Sequence, residues 1–156
     1  MKISNHLLFI AGLLNFGFAV GQAAISIVPA WAATFGASNT LASNPTVLLV
    51  AGLLVTLLFG IAGLYGLSGA GVIRRLPLLR LGLFVIGALY TLNGIVFVPQ
   101  LLSVLGILPS PQVIQVLPML ASAAFLLVGL LYLGGLASAW KSLKIRNFSP
   151  SAVINY

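Results

Sequence analysis

Four long stretches of this chain carry no charged residue, and every formal charge lies between or beyond them. Leu7 to Val28, Thr46 to Ile73, Leu81 to Val98 and Met119 to Trp140 lack Asp, Glu, Lys and Arg altogether. Their lengths of 22, 28, 18 and 22 residues bracket the roughly 20 needed to cross about 30 Å of hydrocarbon at 1.5 Å per residue. Only 4% of the 156 residues are charged and 61% are apolar, against about a quarter charged in soluble domains. Too little polar surface exists to cover such a chain in water. The sequence therefore predicts an all-α integral membrane protein, a four-helix bundle forming one membrane domain over residues 1–156.

The charges set its orientation. Lys2 precedes the first run, Arg74, Arg75 and Arg80 fall between the second and third, and Lys141, Lys144 and Arg146 follow the fourth. All seven share one side of the membrane, and the loops of the other side carry none. Positive residues mark the cytoplasmic face, so the expected topology is up-down-up-down with both termini cytoplasmic. The net charge of +7 with no acidic residue raises nucleic-acid binding, but cations confined to helix ends, with no basic stripe, argue against it. Met1-Lys2, the apolar run and Ala19-Val20-Gly21 also have the form of a signal peptide. Cleavage there would leave three spans and the basic segments unexplained, so the run is read as a span.

Between the spans, Pro29 to Pro45 reads as a far-side loop with Trp31 and Phe35 at headgroup level, where amphipathic rings are favoured. Pro99 is expected to end the third span. Leu101 to Leu108 is too short to cross and is expected to form a short helix lying at the interface or packed back over the bundle. The tail, Lys144 to Tyr156, is polar and is expected to be mobile. Gly60, Gly63, Gly66, Gly69 and Gly71 read as close helix packing. The Gly66–Gly71 segment is no phosphate loop, since the Lys-Ser/Thr that such a loop needs is missing. Leu8-Phe9-Ile10-Ala11-Gly12 resembles Leu83-Phe84-Val85-Ile86-Gly87, which raises a doubled hairpin.

Chemistry is constrained by what is absent. Without Asp or Glu, a carboxylate acid or base and a carboxylate proton relay are excluded; without Cys, so are disulfides, thiolate metal sites and thiol nucleophiles. His6, the single histidine, reads as an interface residue, with ligation of a haem or chlorophyll metal as its alternative role. No catalytic set can be assembled, so the expectation is a protein that is not an enzyme. No cofactor or metal is evident, while a bound lipid or pigment stays open.

One pattern is sharper. Gly12, Asn15, Ala19, Gln22 and Ser26 recur at three-then-four spacing and share one face of the first span, which must face protein because an unpaired amide in hydrocarbon costs several kcal/mol. Counting depth at 1.5 Å per residue predicts a Gln22–Asn93 contact. Two roles stand open for Asn15, Gln22, Asn93, Tyr90 and Thr56: polar contacts between helices, or the lining of a small pocket for an amphipathic ligand.

Gly63 to Gly94, with its glycine-rich span end, basic Leu-Pro turn and Leu-Tyr span, resembles small four-span inner-membrane proteins of bacteria whose roles are uncharacterised. The resemblance implies a bacterial cytoplasmic membrane and a four-helix bundle, with no active site to transfer. Three functions follow as expectations. The first is a structural or accessory subunit that packs against other membrane proteins through small positions such as Gly129 and Gly135. The second is a binder or carrier of a lipid or other hydrophobic molecule, and the third a homo-oligomeric pore.

Overall fold

The computed structural model describes residues 3–34, 43–109 and 116–140. Its helices are α1 (Ile3–Ile27), α2 (Pro29–Thr34), α3 (Pro45–Ala70), α4 (Leu79–Gly94), α5 (Phe97–Val104) and α6 (Val116–Ala139). Four segments are long and apolar enough to cross a membrane: Asn5–Ile27, Pro45–Ala70, Leu79–Val104 and Val116–Ala139. Phe35, Lys2, Lys141, Lys144, Arg146 and the tail from Lys144 to Tyr156 lie outside the described residues.

Helix ends follow local chemistry. Asn44 caps α3, its side chain accepting from the Val47 N–H at 3.3 Å, and Pro45 takes the first helical position, where its missing N–H costs nothing. Gly71 ends α3 in the left-handed region at φ 78°, and its N–H and that of Val72 turn back onto the Ser68 and Leu67 carbonyls at 3.1 and 3.0 Å. The second span therefore stops at Ala70 instead of continuing to Ile73. Beyond it, the Ser68 hydroxyl accepts from the Leu76 N–H at 2.9 Å and donates to the Arg74 carbonyl at 3.1 Å, pinning the basic turn to its own helix.

Two other boundaries differ from expectation. Pro29 does not open a loop; it starts α2, whose Ala32 is buried. Pro99 does not end the third span. After a two-residue turn at Ile95 and Val96, both in the right-handed helical region, Pro99 sits within the first turn of α5, where no N–H is required of it. The span thus runs on to Val104, so the greasy segment after Pro99 continues it over residues 101–104.

The bundle is two antiparallel pairs, α1 with α3 and α4 with α6, joined mainly where α1 lies on α6. Glycine sets the closest approaches. A Cβ on Gly66 would stand 2.7 Å from the Gly12 Cα, and one on Gly12 would stand 2.9 Å from the Gly63 carbonyl oxygen, so α1 and α3 touch backbone to backbone. Gly129 faces Thr91 across the α4–α6 pair, and Gly135 faces Leu8 across the α1–α6 seam. These two glycines, expected as exposed docking positions, are buried inside the bundle. Meanwhile Leu53, Leu54, Leu57 and Leu58 of α3 are exposed, the distribution of a protein whose surroundings are hydrocarbon.

Candidate functional site

Halfway along the bundle lies a buried polar node to which each long helix contributes one residue. Asn15 of α1 and Tyr132 of α6 have no exposed surface, and Tyr90 of α4 is buried. The Tyr90 hydroxyl donates to Asn15 Oδ1. Asn15 Nδ2 donates to the Tyr132 hydroxyl oxygen at 3.0 Å and to the Ala11 carbonyl of its own helix at 2.9 Å. Tyr132 in turn donates to the Ala62 carbonyl of α3 at 2.7 Å. Each hydroxyl hydrogen and both ends of the amide are used, which removes the penalty that an unpaired polar group meets in hydrocarbon. The node stitches the four long helices together through side chains and one backbone carbonyl.

The polar face of α1 does point inward: Gly12, Asn15, Ala19 and Ser26 are buried and Gln22 is half-buried. Of the five residues singled out as a cluster, only Asn15 and Tyr90 hydrogen-bond to each other. The expected Gln22–Asn93 contact is replaced by two separate environments. Asn93 is exposed and its amide donates to the Leu89 carbonyl one turn back at 2.9 Å, while Gln22 lines a cleft to which Asn93 does not contribute. Depth along the membrane fixes height but not rotation, and a helical amide can satisfy itself on its own backbone. Thr56 of α3 is half-buried, its hydroxyl enclosed without a hydrogen-bond partner. His6 is exposed near the start of α1, and no grouping of three potential metal ligands occurs among the described residues.

Sequence reasoning passed over Tyr132. Its signal was available: a tyrosine well inside an apolar span needs a partner for its hydroxyl, as an asparagine does. Asn15 and Tyr90 also stand 75 residues apart, the same offset as the two similar pentads beginning at Leu8 and Leu83. Leu8 and Leu83 are themselves fully buried and both come against Gly69. Corresponding positions of the two helix pairs therefore meet inside the bundle.

Next to the node is an aromatic layer. Phe18 of α1 packs against Phe59 of α3 and Phe125 of α6 with ring centroids 5.8 and 5.6 Å apart, and Phe59 and Phe125 also contact Tyr90. Beyond this floor, on the side away from the basic turn, α1, α3 and α6 part around a partly open cleft of about 580 Å³. Small residues create it: Gly17 and Gly21 on α1, Ala51 on α3, Ala121 and Ala124 on α6. Cβ atoms built on Gly17 or Gly21 would meet nothing within 4 Å. Gln22 is the one polar side chain among the lining residues, and Ala32 of α2 contributes to the wall.

Fold and node together define a four-span membrane bundle held at its centre by one hydrogen-bonded chain, with a lateral apolar cleft in one half. Comparison with known proteins gives no family model, no curated protein and no solved structure that matches the chain.

Proposed function

We propose that this chain is a non-catalytic multi-pass membrane protein that holds an apolar molecule of the bilayer, such as an acyl chain, between α1, α3 and α6. The observation that carries the proposal is the 580 Å³ cleft with its aromatic floor and single amide. That volume lies within the roughly 300–1,000 Å³ of small-molecule sites. Apolar walls and one polar group suit a hydrocarbon with a single hydrogen-bonding atom to place against Gln22. The filled node below the cleft argues against a channel through a single bundle, because Asn15, Tyr90 and Tyr132 occupy its centre.

The charge distribution supports placing the basic turn and both termini in the cytoplasm, which puts the cleft in the opposite leaflet. The resemblance to small bacterial inner-membrane proteins supports a bacterial cytoplasmic membrane. A second reading, the accessory subunit, rests on Gly17 and Gly21, four residues apart with open space above them, a spacing that admits the backbone of another protein's helix.

Filling the cleft tests the proposal. Wild-type protein extracted in mild detergent should carry a defined small-molecule mass by native mass spectrometry. The Gly21→Leu variant, whose new side chain has room in the cleft, should fold and lose that mass. Equal small-molecule content in the two proteins would refute it.

A further inference from the structure

We infer that the basic end of the bundle carries a separate site for an anionic phospholipid, with its headgroup at Arg80 and one acyl chain along the groove beside α4 and α6. Arg80, in the first turn of α4, reaches across to Trp140, the residue that follows α6. Its Nη2 donates to the Trp140 carbonyl at 2.6 Å, and its guanidinium carbon stands 4.9 Å from the Trp140 ring centroid. These contacts fix the guanidinium at the end of α6, where a cation is favoured by the helix dipole, and hold it over an aromatic ring. They leave its donors largely unused. Nε is enclosed without a partner, and a guanidinium offers five N–H groups in a fork suited to phosphate.

No carboxylate side chain can complete it, because the chain contains no Asp or Glu. The exposed Arg74 and Arg75 of the same basic turn add two more cations at this end of the bundle, so the local field favours an anionic headgroup. One turn along α4 from Arg80, Phe84 begins a groove completed by Leu133, Leu136, Ala137, Ser138 and Trp140, the residue that Arg80 contacts. Cation above, tryptophan at the rim and an apolar track beneath reproduce the profile of a phospholipid from headgroup to chain. Basic pockets between spans are built to bind anionic headgroups in this way. The site is at the opposite end of the bundle from the cleft and stands independently of the role proposed for it.

The test is competitive binding by native mass spectrometry of the full chain, delipidated and then offered equal amounts of dioleoyl phosphatidylglycerol and dioleoyl phosphatidylcholine. Wild-type protein should retain the anionic lipid in clear excess. Arg80→Gln should lower that preference about fivefold, the effect of one cation at a membrane surface. Because Arg80 also ties α4 to α6, a second variant leaves it in place: Ala137→Trp fills the groove from an exposed position and should cause a comparable loss. Excess inorganic phosphate should not displace the lipid, and Gly21→Leu in the distant cleft should leave the preference unchanged. Equal retention of the two lipids by wild type, wild-type preference in Ala137→Trp, or displacement by phosphate would each overturn the inference.

Discussion

Replacing Asn15 by Leu keeps the branched shape of the side chain while removing both of its interhelical hydrogen bonds, to Tyr90 and to Tyr132. Such bonds contribute about 0.6 kcal/mol each in a bilayer, with a ceiling near 1.7. Tyr132 keeps its bond to the Ala62 carbonyl, but the Tyr90 hydroxyl is left buried with no acceptor, a further cost of about 1–3 kcal/mol. The expected loss is about 2–4 kcal/mol. Tyr90→Phe removes one bond and strands Asn15 Oδ1, costing about 1–2 kcal/mol. In the double variant neither group is stranded by the other, so it should be more stable than the sum of the single effects by about 2 kcal/mol or more. Unfolding by SDS titration in mixed micelles, followed by tryptophan fluorescence, measures all four proteins. Additivity within about 0.5 kcal/mol would refute the coupling and with it the central stitch.

Other substitutions separate tight from open positions. Gly66→Ala should destabilise by about 1–3 kcal/mol, because its Cβ would stand 2.7 Å from the Gly12 backbone, whereas Gly17→Ala, with open space, should be neutral or stabilising by up to about 1 kcal/mol in the same titration. Asn93→Leu should change stability by less than about 0.5 kcal/mol, since its amide is exposed and bonded only to its own helix. Ser68→Ala should cost about 1–2 kcal/mol by freeing the Leu76 N–H and the Arg74 carbonyl, and hydrogen exchange should rise over residues 72–78 and not elsewhere.

The four spans were legible because exclusion of charge from runs of about 20 residues is a strong constraint, and glycine at Gly63 and Gly66 announced a close helix crossing. The inward face of α1 was equally legible from the spacing of Gly12, Asn15, Ala19, Gln22 and Ser26. Partners on other helices were not. Gln22 and Asn93 share a depth, but rotation about each helix axis separates them, and rotation is set by contacts such as Gly12 on Gly66 that a single sequence does not pair. Pro99 misled for a related reason: proline stops a helix in its interior but is accepted in a first turn, and the break at Ile95 and Val96 supplies that first turn. Gly129 and Gly135 were expected on the surface because small residues mark helix contacts without saying whether the neighbour is this chain or another.

The most direct test of the ligand-holding role is photo-crosslinking from inside the cleft. A benzoylphenylalanine at Ala121, which lines the cleft, is compared with one at Leu130, which is exposed on the same helix, after extraction into a delipidating detergent and illumination. The account predicts that Ala121 yields a covalent adduct of one defined lipid-sized mass while Leu130 yields none, because annular lipid is stripped and the cleft ligand is retained. A crosslink from Ala121 to another protein, or the same products from both positions, would contradict it.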